Sequence, residues 1–110
     1  MQRRIDSRID QRIEELVRRL GLRPHPEGGF YGESYRASEL LAAEHLPPRF
    51  GGARPISTAI YYLLPSGSRS HLHRLRSDEV WHFYEGCPLD LHTLSHEREH
   101  RTIRLGPDLA

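Results

Sequence analysis

The sequence predicts an all-β protein, a sandwich or barrel of short strands preceded by one N-terminal α-helix. Three observations carry this prediction. A helical hydrophobic period is confined to the residues before Gly21. After it come short segments rich in aromatic, β-branched or alternating residues. Glycine, proline or serine bounds each of these segments, and a chain of 110 residues suffices for one small domain.

The helix is predicted over residues 3–20, because apolar side chains recur there at intervals of three and four. Gly21 occupies the position at which a glycine commonly ends a helix, and Pro24 keeps the helix from resuming. We therefore expect a helical segment over 1–21 and a β domain over 22–110. The apolar face of the helix consists of Ile5, Ile9, Ile13, Leu16, Val17 and Leu20.

Five later segments have the composition and the boundaries of strands. Turn-forming residues separate them at 65–68 and 85–88. Between the first two segments, Glu39–Glu44 is predicted to form a helical turn that leads into a loop rich in proline and glycine. The predicted strands are Phe30–Arg36, Ser57–Leu64, Glu79–Tyr84, Leu89–Leu94 and Arg101–Leu105.

Composition excludes several classes of protein. All 16 basic residues are arginines, and they are interleaved with 15 acidic residues, so no basic stripe predicts binding to nucleic acid. No apolar run is long enough to span a membrane, and the N-terminus lacks the apolar core of a signal peptide. The lone Cys87 allows no internal disulfide and fits a reducing compartment. We expect a cytoplasmic protein that binds neither nucleic acid nor membrane.

Histidines are unusually concentrated, with five of the eight between His71 and His96. In a strand, His71 and His73 would share a face, and an antiparallel partner strand would bring Glu79 near them. Two imidazoles and one carboxylate suit a divalent transition metal with open coordination positions. Two alternatives remain open at this point. The histidines could form hydrogen bonds in a pocket without metal, and Glu79 could pair with Arg36 or Arg74 across the sheet.

The stretch from Gly67 to Gly86 resembles the first conserved motif of the cupin superfamily: a glycine, a His-x-His pair, a glutamate, then six residues and a glycine. The interval from His73 to Glu79 is one or two residues wider than in that motif. Blocks at 22–31 and 57–64 extend the resemblance to a cupin subfamily of largely unknown function, which is similar to epimerases of sugar nucleotides. The second cupin motif is absent from the sequence.

The resemblance implies a cupin-type antiparallel jelly-roll barrel from which the final strands are missing. A barrel without its late strands leaves backbone donors and acceptors unpaired along the early strands. We therefore expect that the chain is either a fragment or completes its sheet through a second subunit, as a homodimer.

The resemblance also implies binding of a small polar ligand, sugar- or nucleotide-like, with isomerase or epimerase activity as the finer hypothesis. The alternative is a non-catalytic binding or dimerisation module without metal. His73 would be the base and Glu79 its partner, with Asp78 as a second candidate for that role. The expected metal ligands are His71, His73 and Glu79, for Zn, Mn, Fe or Ni. The expected ligand-binding residues are His25, Glu27, Arg36, Tyr61, Trp81 and Phe83. His92, His96 and His100 are interpreted as part of a hydrophilic surface hairpin.

Overall fold

The structure is a computed structural model that describes residues 7–107. The first residues of the predicted helix, Ile5 among them, lie outside this range. The chain forms two compact units, one up to Arg76 and one from Ser77 onward, and each unit is described by itself. No helix in the described range is long and apolar enough to cross a membrane.

Over residues 7–107 the structure has one helix, seven strands and two single 3₁₀ turns. The helix α1 covers Ser7–Leu20, and the 3₁₀ turns cover Ala43–His45 and Pro48–Phe50. The strands are β1 (Arg23–Pro24), β2 (Phe30–Arg36), β3 (Leu40–Leu41), β4 (Arg54–Pro55), β5 (Thr58–Leu63), β6 (Leu89–Leu94) and β7 (His100–Leu105).

The end of α1 has the geometry of a Schellman motif. Gly21 adopts a left-handed conformation with φ 62°, and the Leu22 N–H donates to the Val17 carbonyl at 2.9 Å. Leu22 is buried, whereas Ile9, nearer the start of the helix, is 55% exposed. Within the described part of the stripe, Ile13, Leu16 and Val17 are half-buried, whereas Leu20 at the helix end is 39% exposed.

The helix end rests on β2 at Gly32. A Cβ at Gly32 would lie 2.9 Å from Cδ2 of Leu22 and 3.2 Å from the Leu20 carbonyl oxygen, so a larger residue would require Leu22 to shift. The largest sheet has the antiparallel order β1–β2–β5, with Tyr31 opposite Tyr62. An irregularity between Glu33 and Tyr35 shifts the register, which is typical of a β-bulge.

Two further sheets have two strands each, β3–β4 and β6–β7. Within the described residues the three sheets stay open and form no closed barrel, and β5 pairs with β2 on one side only. Four predicted strands are confirmed, since β2 and β6 have the predicted bounds, β5 is shorter by one residue at each end, and β7 begins one residue earlier.

Two predictions of secondary structure are wrong. The predicted helical turn Glu39–Glu44 is replaced by β3 and the 3₁₀ turn after it, because Leu40 pairs with Pro55 and Leu41 with Arg54. The predicted strand Glu79–Tyr84 is not formed in the described structure. A strand needs ladder hydrogen bonds to a partner, and no described strand pairs with these residues.

The second unit contains the β6–β7 hairpin, whose two faces differ in polarity. Leu89, Leu91 and Leu105 are half-buried on one face. The other face carries polar side chains, among them Asp90 and Arg104, which form an ion pair at 3.1 Å. The predicted hydrophilic hairpin is therefore confirmed for one of its two faces, and its histidines are exposed.

Candidate functional site

The hairpin loop between β1 and β2 forms one wall of the candidate site, which lies within the first unit. The His25 N–H donates to the Gly29 carbonyl at 2.8 Å, and the Gly28 N–H donates to the His25 carbonyl at 3.0 Å. Gly28 and Gly29 both have positive φ, at 115° and 75°. The loop therefore depends on backbone conformations that other residues rarely adopt.

This loop packs directly on the segment before His73. A Cβ at Gly28 would collide with the Arg69 carbonyl oxygen. The His71 N–H donates to the Glu27 carbonyl at 2.7 Å. Two stretches that are distant in sequence are thus joined by backbone contacts, and the histidine motif is held beside the loop.

Four aromatic or imidazole rings meet at this junction. The His25 ring lies edge-on to Tyr31 at 5.0 Å and to Tyr62 at 5.2 Å between ring centroids, and 6.5 Å from the His73 ring. Tyr31 and Tyr62 are opposite each other on neighbouring strands, so their side chains share one face of the sheet. The Tyr62 hydroxyl donates to the Gly28 carbonyl and ties the sheet to the loop. We call this group of four rings the His25–His73 cluster.

Hydrogen bonds to the backbone give the two histidines different protonation patterns. Nδ1 of His25 accepts the Glu27 N–H at 2.9 Å, so a neutral His25 carries its proton on Nε2. Nδ1 of His73 lies 2.7 Å from the His71 carbonyl oxygen, which can only accept. His73 therefore has its proton on Nδ1, and in the neutral ring Nε2 presents a lone pair. The cluster combines a donor nitrogen and an acceptor nitrogen.

Charged groups flank the cluster on the same sheet. The Arg23 guanidinium lies over the Tyr31 ring, 5.7 Å from its centroid. Arg36 donates two hydrogen bonds of 2.8 Å to the Glu33 carboxylate. These bonds hold the pKa of Glu33 below its usual value and raise the pKa of Arg36. Arg36, predicted to bind ligand, thus has its guanidinium engaged by Glu33.

The predicted site residues of the first unit are distributed unevenly. His25 and Glu27 lie in the loop, half-buried, and His73 belongs to the cluster. Tyr61 is opposite Gly32, so it lies on the face of β5 away from Tyr62. The structure brings Tyr62, not Tyr61, to the histidines.

His71 and His73 lie in a stretch without strand structure, so the alternation that predicted a shared face does not apply. His71 contributes its backbone N–H and carbonyl to the site instead. The His71 carbonyl, within the same unit, orients the His73 ring. This is the orienting role that the sequence prediction gave to Glu79 or Asp78.

The remaining predicted residues belong to the second unit. Glu79 is exposed, Trp81 is 37% exposed and Phe83 is half-buried. The strand Glu79–Tyr84, to which all three were predicted to belong, is not formed in the described residues. No three metal-ligating side chains are grouped within either unit over residues 7–107. The site composed of His71, His73 and Glu79 stays a prediction.

Sequence reasoning missed Tyr31 and Tyr62 as members of the site. Both residues lie in stretches that the sequence analysis had singled out, but their role depends on the pairing of β2 with β5. A shift of one residue in that register would have placed Tyr61 opposite Tyr31. The strand pattern alone does not contain this information.

The open antiparallel sheets, the N-terminal helix and the His-x-His segment agree with the result of comparison with protein families. The chain belongs to the cupin superfamily. Within it, the family described as Cupin superfamily (DUF985) matches residues 14–110, which is most of the chain.

Two solved structures are similar to this chain. A protein from Shewanella oneidensis, solved by X-ray crystallography, is similar with a TM-score of 0.74 and 38% sequence identity over 87% of this chain. A hypothetical protein from Leishmania major is similar with a TM-score of 0.70 and 38% identity over 86% of this chain. This chain covers only 55% and 56% of those two chains. No curated protein matches the sequence.

Proposed function

We propose that the His25–His73 cluster binds a small polar ligand, sugar- or nucleotide-like, and transfers a proton on it. The single observation that carries the proposal is the opposite protonation of two imidazoles with ring centroids 6.5 Å apart. Nε2 of His73 accepts a proton, and Nε2 of His25 donates a hydrogen bond. Tyr31 and Tyr62 offer ring faces and edges against which a sugar or a base packs.

The reaction class that fits this pair is isomerisation or epimerisation at a carbon next to a carbonyl group. The C–H bond breaks, its proton moves to Nε2 of His73, and the electron pair moves onto the carbonyl oxygen as an enolate. The Nε2–H of His25 stabilises that oxygen by hydrogen bonding. Return of a proton to the carbon completes the reaction, so no oxidant or reductant is needed.

The ligand test uses a panel of sugar nucleotides, nucleotides and keto-sugars. Binding is followed by NMR signals of the His25 and His73 rings. Proton transfer is followed in D₂O as incorporation of deuterium next to the carbonyl of a bound keto-sugar. We expect at least one ligand to shift the ring signals and the protein to accelerate deuterium incorporation.

Variants separate binding from proton transfer. His73→Gln is expected to lower the rate of deuterium incorporation by about 100-fold or more, the range typical of general bases. His45→Gln, at an exposed histidine of the first 3₁₀ turn, is the matched control and should leave the rate unchanged. Binding without deuterium incorporation for every ligand would replace the epimerase hypothesis by the non-catalytic binding module. A panel in which nothing binds would overturn the proposal.

Two further parts of the hypothesis concern metal and assembly. The predicted ligands of a divalent ion such as Zn, Mn, Fe or Ni are His71, His73 and Glu79, and Nε2 of His73 would then bind the ion instead of accepting the proton. Metal analysis after gentle purification, with and without the His73→Gln substitution, tests this part. A homodimer would supply a partner for the second edge of β5, and light scattering at micromolar concentration tests it. A cooperatively melting monomer would contradict the dimer.

A further inference from the structure

The β6–β7 hairpin carries a second pair of histidines, in the second unit. Nδ1 of His92 lies 3.1 Å from Nε2 of His100, and the two rings stack with centroids 5.3 Å apart at an angle of 28°. The Thr102 hydroxyl lies 3.2 Å from Nδ1 of His92 and 3.5 Å from Nε2 of His100. Three polar atoms therefore converge on one point of the hairpin surface.

The hairpin register fixes this arrangement. His92 is opposite Thr102 and Leu94 is opposite His100, so the two histidines are diagonal neighbours on the same face. A tight turn closes the hairpin, with the Ser95 N–H donating to the Glu99 carbonyl at 3.0 Å. The register of the hairpin therefore places the two imidazoles side by side on one face.

We propose that His92 and His100 form a surface site for a divalent transition metal ion, with both imidazoles as ligands and water in the remaining positions. Imidazole nitrogens bind Zn²⁺ at about 2.0–2.1 Å, so two nitrogens that share one ion lie roughly 3 Å apart. The separation of 3.1 Å between the two ring nitrogens meets this requirement. In the absence of metal, one ring donates to the other through the same pair of atoms.

The ligand atoms available around His92 and His100 favour particular metal ions. Imidazole suits Zn²⁺, Ni²⁺ and Cu²⁺, whereas Mg²⁺ and Ca²⁺ prefer oxygen ligands. Asp90, on the same face of the hairpin as His92, is held by Arg104 at 3.1 Å. The Glu99 carboxylate, one residue before β7, lies 3.6 Å from the Arg101 guanidinium. The site therefore offers two nitrogen ligands and a hydroxyl, and the carboxylates of Asp90 and Glu99 are paired with arginines.

The experiment titrates the whole chain with ZnCl₂ and with NiCl₂ alone, and with MgCl₂ as the negative control. NMR signals of the histidine rings report which imidazoles bind. We expect Zn²⁺ or Ni²⁺ to shift the ring signals of His92 and His100 together in one event, and Mg²⁺ to leave them in place. Separate behaviour of the two rings, or no shift of either, would overturn the proposal.

Substitutions identify the ligands. His92→Gln and His100→Gln should each weaken binding roughly 10- to 100-fold, at least as much as the loss of an outer-shell partner costs a metal site. His96→Gln is the matched control, because His96 lies in the turn of the same hairpin and is exposed. It should bind as the wild type does. Equal loss in all three variants, or loss in none, would contradict a two-histidine site.

A double variant keeps this site distinct from the histidine motif of the first unit. His71→Gln with His73→Gln removes the imidazoles to which the proposed function assigns a metal. We expect the hairpin rings still to respond to Zn²⁺ in that variant. A response that disappears with His71 and His73 would show that the hairpin binds no metal by itself, and would leave the metal hypothesis for the first unit standing.

Discussion

The two histidine pairs use the same residue type in opposite ways. In the first unit, His25 and His73 each have Nδ1 bonded to a backbone group, an N–H in one case and a carbonyl in the other. In the second unit, His92 and His100 are bonded to each other and to a threonine hydroxyl. Backbone partners determine which nitrogen carries the proton, so the first pair has a direction for proton transfer. The second pair has nitrogens that converge on one point, which suits a metal ion.

The pair of His25 and His73 depends on close packing of the loop between β1 and β2. A substitution that disturbs this packing should have the largest effect on stability. Gly28→Ala adds a Cβ that would collide with the Arg69 carbonyl, at a φ of 115°. Gly86→Ala has nearly the same φ, 113°, with nothing within 4 Å of the added Cβ. We expect Gly86→Ala to cost about 1 kcal/mol for backbone strain and Gly28→Ala about 2 kcal/mol or more.

Urea unfolding and hydrogen exchange of the His71 N–H measure this difference. The exchange of this N–H should accelerate in Gly28→Ala, because its acceptor is the Glu27 carbonyl of the same loop. Gly86→Ala should leave that exchange rate unchanged. Equal costs for both substitutions would mean that the loop does not pack on Arg69.

A smaller effect is expected from the hydroxyl that joins the sheet to the loop. Tyr62→Phe removes the hydrogen bond to the Gly28 carbonyl and should cost about 1 kcal/mol of unfolding free energy. Tyr35→Phe is the control, because Tyr35 is 56% exposed on the same sheet. If the two substitutions have the same small effect, Tyr62 does not hold the loop.

The second pair depends on the hairpin turn, which can be strengthened. Arg98 adopts φ 62°, a conformation that favours glycine, in a tight turn in which its N–H donates to the Ser95 carbonyl at 2.9 Å. Arg98→Gly should therefore stabilise the hairpin by about 0.5–1 kcal/mol. Arg101→Gly, inside β7, should destabilise it by a similar amount. Protection of the β6 and β7 amides from hydrogen exchange should increase in Arg98→Gly and decrease in Arg101→Gly. A loss of protection in Arg98→Gly would refute the description of the turn.

The smallest effect concerns the ion pair beside the first cluster. Arg36 lowers the pKa of Glu33 in the folded chain below the value of 4.5 that applies to an unfolded glutamate. Its contribution to stability is therefore present above pH 4.5 and is lost as the pH falls through the lowered pKa. The melting temperature is measured at neutral pH and again below pH 4.5. The decrease between the two conditions should be smaller in Glu33→Gln than in the wild type. Parallel curves would show that this exposed pair contributes nothing.

Sequence patterns predicted the strands well where alternation and boundaries suffice. The bounds of β2 and β6 follow from local residues alone, and the turn residues delimit them. Glu79–Tyr84 has the same kind of pattern but forms no strand in the described structure, because alternation indicates which residues share a face and not which strand is the partner. Pairing is the information that local sequence lacks.

The lack of pairing information also limited the prediction of the candidate site. His25, Glu27 and His73 could be predicted from a loop rich in glycine and proline and from the His-x-His motif. Tyr62 could not be distinguished from Tyr61, because the choice depends on a register with β2. The orientation of the His73 ring depends on a backbone carbonyl two residues away, which no pattern of side chains encodes.

The proton positions of His25 and His73 test the central claim most directly. Two-bond ¹H–¹⁵N correlation spectra of the histidine rings at a pH where both are neutral report which nitrogen carries the proton. The account predicts Nε2–H for His25 and Nδ1–H for His73, and both patterns should persist in His92→Gln. The same pattern in both rings, or an Nε2 proton on His73, would remove the donor and acceptor pair and contradict the proposed proton transfer.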